Sequence, residues 1–254
     1  MNYNNKVDPN IANYYLKYLK NNNLYSKETY QQGIKQLQEG KPIQYIIGNV
    51  DFYGNIINVN ENVLIPRFET ELLVEKTIKY INQHFKNKKL SIIDLGTGSG
   101  CIAIALKKIL TSLEVDALDI SSKSIKIAKK NAKYNDVDIN FVVSDLENFE
   151  PDKKYDLIIA NPPYVDIAKE IDPKTKYEPA LALYAPLNGL YFYEIILKKY
   201  QRYLEDRYLL AFEIGEEQAK EISNIAKKYY KNAKIMVEKD LCGKDRYLFI
   251  TNCE

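Results

Sequence analysis

The sequence predicts an α/β protein: a mostly parallel sheet covered by helices on both faces, preceded by a small helical region and a β-hairpin. Three observations predict it. From about Leu90 onward, short apolar runs alternate with helical patterns. The first of these runs opens into glycines, Asp94-Leu95-Gly96-Thr97-Gly98-Ser99-Gly100, at a strand-to-helix turn. The last two runs are joined by a loop holding Gly243, as an antiparallel edge would be.

Taken in order, Ile11, Tyr14, Tyr15, Tyr18 and Leu19 fall at helical spacing until Asn21-Asn22-Asn23 breaks the pattern. A second helix from about Ser26 ends at Gly40, with Pro42 just beyond. Ile43, Tyr45 and Ile47 then alternate, and Ile56, Ile57, Val59 and Val63 follow a Tyr53-Gly54-Asn55 turn signal, predicting a hairpin between Pro42 and Leu64. The expected strands are Leu90–Asp94, Val115–Asp119, Phe141–Val143, Tyr155–Ala160, Tyr208–Phe212, Lys234–Val237 and Tyr247–Thr251. Between them lie helices from about Ser99, from Ser122 to Lys133, from Leu190 to Leu204, and after Phe212. The expected division is residues 1–41, a small helical domain; 42–66, a hairpin linker; and 67–254, the sheet domain.

The chain has 254 residues, 46% of them hydrophobic, enough for a sizeable core and too many for a disordered chain. Its net charge of +2 shows none of the basic excess usual in duplex-binding domains. Cys101, Cys242 and Cys253 are widely spaced, forming neither a disulfide framework nor a metal site, and we expect a reducing, cytoplasmic setting and no metal. The start, Met1 to Lys6, lacks a signal-peptide pattern, and no apolar run is long enough to span a bilayer. His84 reads as part of a Lys/Asn-rich surface stretch and Cys101 as packing.

The glycine loop has GxGxG spacing rather than the GxGxxG dinucleotide fingerprint, and no GK[ST] of a P-loop follows. Glycines there let a ligand approach backbone, although a tight structural turn has the same composition. Asp119 ends the second strand, where an acid can accept from both ribose hydroxyls; Asp145, followed by Leu146, ends the third beside the same crevice. Each Asp alone reads as well as a helix N-cap. Together with Asp94 they favour a nucleoside-bearing cofactor without phosphates, and S-adenosylmethionine fits.

Asn161-Pro162-Pro163-Tyr164 follows the fourth strand. Two prolines fix φ and remove two backbone donors, so the Asn161 side-chain oxygen and the Pro162 carbonyl become two rigid acceptors. Two acceptors suit an NH₂ on a conjugated carbon, whose delocalised lone pair makes it a poor nucleophile. Tyr164 could pack on that planar group. The plain alternative is a rigid turn with an aromatic plug.

With these residues in hand, the sequence resembles the protein-(glutamine-N5) methyltransferases that modify release factors. The resemblance runs from about Pro42 to the C-terminus. Its landmarks are Pro42–Gly48, Phe52-Tyr53-Gly54, Val63–Arg67, Glu69-Thr70-Glu71, Asp94–Gly100, Asn161–Tyr164, Glu178-Pro179, Phe212–Gly215, Lys239–Leu241 and Gly243–Arg246. It implies a class I, Rossmann-like S-adenosylmethionine-dependent methyltransferase fold with a seven-stranded sheet. It also implies the glutamine of the Gly-Gly-Gln loop of class I peptide chain release factors as substrate. The expected cofactor residues are Asp94, Gly96, Thr97, Gly98, Gly100, Asp119, Asp145, Leu146 and Asn161. For substrate and catalysis they are Asn161, Pro162, Pro163 and Tyr164, with Arg67 and Glu178 walling the pocket; Arg67 could equally pair with Glu69 or Glu71, and Glu178-Pro179 could be a loop turn. Phe68 stands where the family has a second proline, the helical region before Pro42 is short, and Asp206-Arg207 replaces a Lys-Pro-Gly-Gly turn. Two other readings stay open: a nucleic-acid amino methyltransferase using the same Asn-Pro-Pro-aromatic logic, and a non-catalytic binding protein on the same scaffold.

Overall fold

The computed structural model describes residues 7–85, 89–168 and 173–253; the start of the chain, residues 1–6, lies outside them. Helices α1 (Pro9–Asn21) and α2 (Lys27–Gln38) come first, each with a side-chain N-cap: Asp8 accepts from Asn10 N, and Ser26 from Thr29 N. They pack closely because Gly33 admits the Tyr15 ring; a Cβ at Gly33 would lie 2.2 Å from it.

The predicted first strand of the hairpin is corrected. Ile43–Ile47 is a short helix, α3, entered at Pro42 and stopped at Gly48, which takes a left-handed φ of +84°. Ile43 and Ile47, four apart, share one helix face and Tyr45 lies on the other, so the two-residue alternation that reads as a strand also fits within this short helix. Tyr45 is buried there, its hydroxyl donating to the Val63 carbonyl at 2.6 Å. The hairpin itself is β1 (Asn49–Phe52) with β2 (Asn55–Asn58), turning at Tyr53-Gly54.

A helix that the hydrophobic pattern did not predict follows, α4 (Phe68–His84). His84, half-buried, closes this helix and stacks on Tyr80. Its buried face is Thr70, Leu73, Val74, Thr77 and Ile81, so two threonines interrupt the apolar stripe.

The sheet strands are β3 (Ser91–Leu95), β4 (Glu114–Asp119), β5 (Asn140–Val143), β6 (Tyr155–Ala160), β9 (Leu204–Glu213), β10 (Lys234–Lys239) and β11 (Asp245–Thr251). A two-residue pair, β7 (Val165–Asp166) with β8 (Tyr184–Ala185), lies outside the sheet. Helices α5 (Cys101–Ile109), α6 (Ser122–Tyr134), α7 (Tyr191–Lys199) and α8 (Ala219–Tyr229) connect them. The α7 segment ends five residues before the predicted Leu204 because Tyr200–Tyr203 tightens to a 3-10 turn.

Strand order is β10-β11-β9-β6-β3-β4-β5, parallel from β9 to β5, with β11 antiparallel to both β9 and β10. The predicted seven strands and antiparallel edge are thus observed. Successive residues serve opposite cores: Ile92, Leu157 and Ile159 pack toward α4 and α5, whereas Ile93, Ile158 and Ala160 pack toward α7 and α8.

This order creates a switch point. From β3 the chain proceeds through β4 to β5, then returns to lay β6 on the other side of β3. Ligands of open α/β sheets bind outside the carboxyl ends of strands at such a point. The hairpin is held over that edge by Asn131 of α6, which accepts from Asn58 N (2.8 Å) and donates to the carbonyls of Asn58 (3.0 Å) and Ser99 (2.9 Å).

The chain leaving β6 is fixed equally tightly. The Tyr164 carbonyl accepts from Gln218 Nε2 at 2.9 Å and passes so close to Gly189 that a Cβ there would lie 2.0 Å from it. Gly189 also sits at φ +81°, whereas Gly243, at φ +78°, faces open space. Gly189→Ala is expected to cost about 2 kcal/mol or more, clearly above Gly243→Ala, in urea unfolding. Equal losses would refute the close-approach argument.

Candidate active site

A cleft of about 310 Å³ opens at the carboxyl ends of β3, β4 and β6. Gly96–Ser99, Asp119, Ile120, Ser144, Asp145, Leu146, Asn161 and Pro163 form its floor, with Asn62–Leu64, Pro66, Arg67 and Thr70 on one side and Tyr191 and Phe192 on another.

The floor is built by backbone. The N–H groups of Gly96 and Thr97 both donate to the Leu118 carbonyl, at 2.9 and 2.8 Å, tying the loop to β4. Gly96 and Gly98 have φ of +77° and +54°, and a Cβ on either would meet no atom within 4 Å. A ligand can therefore lie directly against this backbone. Asp119 ends β4 and accepts from Gly98 N on Oδ2 and Ser121 N on Oδ1, each at 2.8 Å. Burial raises its pKa, and these two backbone donors oppose the rise. Such a fixed pair of oxygens suits vicinal hydroxyls. Asp145 and Leu146 line the cleft beside it, although Asp145 lies two residues beyond the end of β5 rather than in the strand.

Asp94 differs from the expected placement. It lies within β3 and is fully buried beneath the loop, with Oδ2 accepting from Thr97 Oγ1 at 2.6 Å. Burial is the main reason that its pKa is pushed up to about 7. It braces the loop from below rather than lining the cleft. Gly100, at φ +83° and close to Ala128, likewise serves the turn into α5. Cys101 does touch the cleft, but burial pushes its thiol up to about 12, which keeps it protonated and unreactive at neutral pH.

Asn161 stands in the cleft wall immediately after β6, next to the glycine loop after β3. Its Nδ2 donates to Thr70 Oγ1 at 3.1 Å, and Thr70 Oγ1 donates to Glu213 Oε2 at 2.7 Å. With Nδ2 committed to Thr70, Oδ1 is the end left for a ligand. Pro163 lines the cleft, whereas Pro162 is buried and Tyr164 is turned aside. The Tyr164 hydroxyl donates to Glu213 Oε1 at 3.3 Å, so the ring that was expected to stack on a substrate instead braces Glu213.

Arg67 pairs with neither Glu69 nor Glu71. Its guanidinium meets Glu178 Oε2 at 2.5 Å and the Ile65 carbonyl at 3.2 Å, while Glu178 Oε1 accepts from Ile65 N at 3.0 Å. The Glu178 side chain is buried, so this carboxylate ties the 173–180 segment to the chain entering α4. Arg67 lines the cleft; Glu178 lies behind it. Sequence reasoning missed Thr70 and Glu213 as site residues. The available signal was an acid ending an apolar run, Leu209 to Phe212 followed by Glu213.

Comparison with known proteins follows the same lines. The family model described as "Methyltransferase small domain" matches residues 70–175. A release factor glutamine methyltransferase of Flavobacterium psychrophilum is 44% identical over 219 residues, 84% of this chain and 76% of that protein. One of Bacillus anthracis is 38% identical over 216 residues, 83% and 76% of the two chains. Among solved structures, a methyltransferase from Pyrococcus furiosus matches with a TM-score of 0.56 at 17% identity, covering 79% of this chain and 90% of that one, a likeness of fold.

The buried Asp94 carboxyl gives a signed pH expectation. Its folded pKa is raised, so between pH about 4 and 7 the folded state holds a proton that the unfolded state releases, and stability falls as pH rises through that window. Asp94→Asn is expected to remove roughly 2–4 kcal/mol of the stability difference between pH 4 and pH 8. Urea unfolding at both pH values checks it, and an unchanged difference would contradict it.

Proposed function

The chain belongs to the release factor glutamine methyltransferase family, and from that premise we propose that it methylates the side-chain amide nitrogen of the glutamine in the Gly-Gly-Gln loop of class I peptide chain release factors, in the cytoplasm, with S-adenosylmethionine as cofactor and without a metal. The observation that carries this reading is Asn161 in the cleft wall, its Nδ2 held by Thr70 and its oxygen free for a ligand, one strand away from the glycine loop.

The residues present suit the cofactor. The open backbone at Gly96 and Gly98 would let the cofactor lie against it, the two Asp119 oxygens would take the ribose hydroxyls, and Asp145 and Leu146 would border the base. When bound, S-adenosylmethionine supplies a methyl group made electrophilic by its sulfonium. The protein's task is then to make an amide nitrogen nucleophilic. Asn161 Oδ1 and the Pro162 carbonyl would each accept one N–H of the glutamine amide. That would turn the nitrogen lone pair toward the methyl carbon and stabilise the charge that develops on nitrogen; as the nitrogen–carbon bond forms the methyl–sulfur bond would break, and one amide proton would then leave to solvent. Near-attack geometry places the two reacting atoms about 3–3.5 Å apart. Pro163 and Phe192 supply apolar walls that exclude water, and Arg67, held by Glu178, fixes the rim. Tyr164 acts from behind, through Glu213.

The direct assay offers labelled S-adenosylmethionine with a class I release factor, with its Gln→Ala variant in the Gly-Gly-Gln loop, and with bulk nucleic acid. Label should appear on the unaltered release factor alone. Label on nucleic acid, or undiminished label on the variant, would overturn the reading. Asn161→Ala is expected to lower turnover by about 10²–10³-fold, as loss of one preorganised transition-state hydrogen bond does elsewhere. Asp119→Ala should act on affinity, which calorimetry with the cofactor measures; unchanged binding would remove Asp119 from the ribose site.

A further inference from the structure

An asparagine amide is nearly symmetric in shape, and its two ends do opposite things. Presented oxygen-first, Asn161 accepts an N–H; presented nitrogen-first, it repels the NH₂ it is meant to hold. Something must choose between them, and the cleft wall contains the means. Thr70, on the first turn of α4, is 2% exposed and lies between Asn161 and Glu213. Its hydroxyl has one proton and two lone pairs. Glu213 Oε2 takes that proton at 2.7 Å, so Thr70 has only lone pairs left for Asn161. The NH₂ end of Asn161 is the end that fits, at 3.1 Å.

We propose that Thr70 and Glu213 are positioning residues whose hydrogen-bond chain sets the polarity of the Asn161 amide, so that its oxygen faces the substrate nitrogen. The proposal rests on the reading of Asn161 as the acceptor for the glutamine amide. The surroundings of Glu213 hold it for this use. Tyr164 donates to its other oxygen and Tyr193 donates to its backbone carbonyl at 2.7 Å. Burial raises the Glu213 pKa above the usual carboxylate value, and the Thr70 hydroxyl, the Arg246 guanidinium and the Tyr164 hydroxyl oppose the rise. The nearby Glu69 adds to that rise. Arg246 is itself anchored by Asp240 and the Ile214 carbonyl, and so stays in place as a counter-charge. Three elements converge on this one carboxylate at the end of β9: α4, the segment after β6 and the start of β11.

Four variants and one background test it, with a class I release factor and S-adenosylmethionine as substrates. Thr70→Val removes the hydroxyl at constant shape, and Glu213→Met removes the acceptor at similar length. Each is expected to lower kcat about 10- to 100-fold, with cofactor affinity by calorimetry within about 3-fold of wild type. Thr70→Ser and Glu213→Gln retain a proton to pass and an oxygen to take it, and should each keep kcat within about 5-fold. In the Asn161→Ala background, Thr70→Val should change kcat by less than about 3-fold, because the residue it acts through is gone. Thermal melting establishes which variants are folded; should one fail to fold, the other breaking variant decides.

A wild-type kcat for the folded breaking variant would overturn the proposal, as would a full further loss from Thr70→Val in the Asn161→Ala background. A near wild-type rate for Asn161→Ala alone would instead overturn the reading of Asn161. The two failures are therefore distinguishable.

Discussion

One hydrogen bond, from Asn161 Nδ2 to Thr70 Oγ1, decides which end of an amide faces the cleft, and the architecture around it is arranged to make it. Residues 70, 161 and 213 belong to α4, to the loop after β6 and to the end of β9, far apart in sequence. A buried carboxylate such as Glu213 costs free energy unless donors meet it, and here two hydroxyls do. The fold is thus committed to a polar connection in the middle of an apolar layer. A site that needs a neutral side chain fixed in one of two nearly isosteric orientations gives that connection a purpose.

The topology explains why these residues can meet. Strand β6 returns beside β3, so the glycine loop and the Asn-Pro-Pro-Tyr segment emerge from neighbouring strands at the same edge. Strand β9 then pairs with β6 on the far side and delivers Glu213 behind Asn161. Rigidity comes from details below the level of topology. Gly189 and Gln218 clamp the Tyr164 carbonyl, and Glu178 clamps Arg67 to the chain leading into α4. Two glycine positions in the loop supply an open floor, and Asp94 holds that floor from beneath.

Much of this was legible in the sequence. The seven strands, the glycine loop, Asp119 and the Asn161 segment each carry a local pattern: apolar runs, left-handed glycines, an acid at a strand end, a double proline. What was not legible depends on contacts between distant residues. Helix α4 escaped because Thr70 and Thr77 occupy its buried face, and one of those threonines is the residue that holds Asn161. Ile43–Ile47 read as a strand because its apolar residues alternate, and a five-residue segment is too short for a helical period to show. The partner of Arg67 could not be read locally at all, since Glu178 lies 111 positions away. Likewise, nothing in Asn-Pro-Pro-Tyr says that its tyrosine faces away from the cleft and toward Glu213.

The central claim, that this chain presents the Asn161 oxygen to a substrate amide, is tested most directly by a crystal structure of the protein with S-adenosylhomocysteine and a Gly-Gly-Gln peptide. The glutamine nitrogen should lie within about 3 Å of Asn161 Oδ1, with Nδ2 still on Thr70. A glutamine amide bound elsewhere in the cleft, or an Asn161 amide turned with its nitrogen toward the peptide, would contradict it.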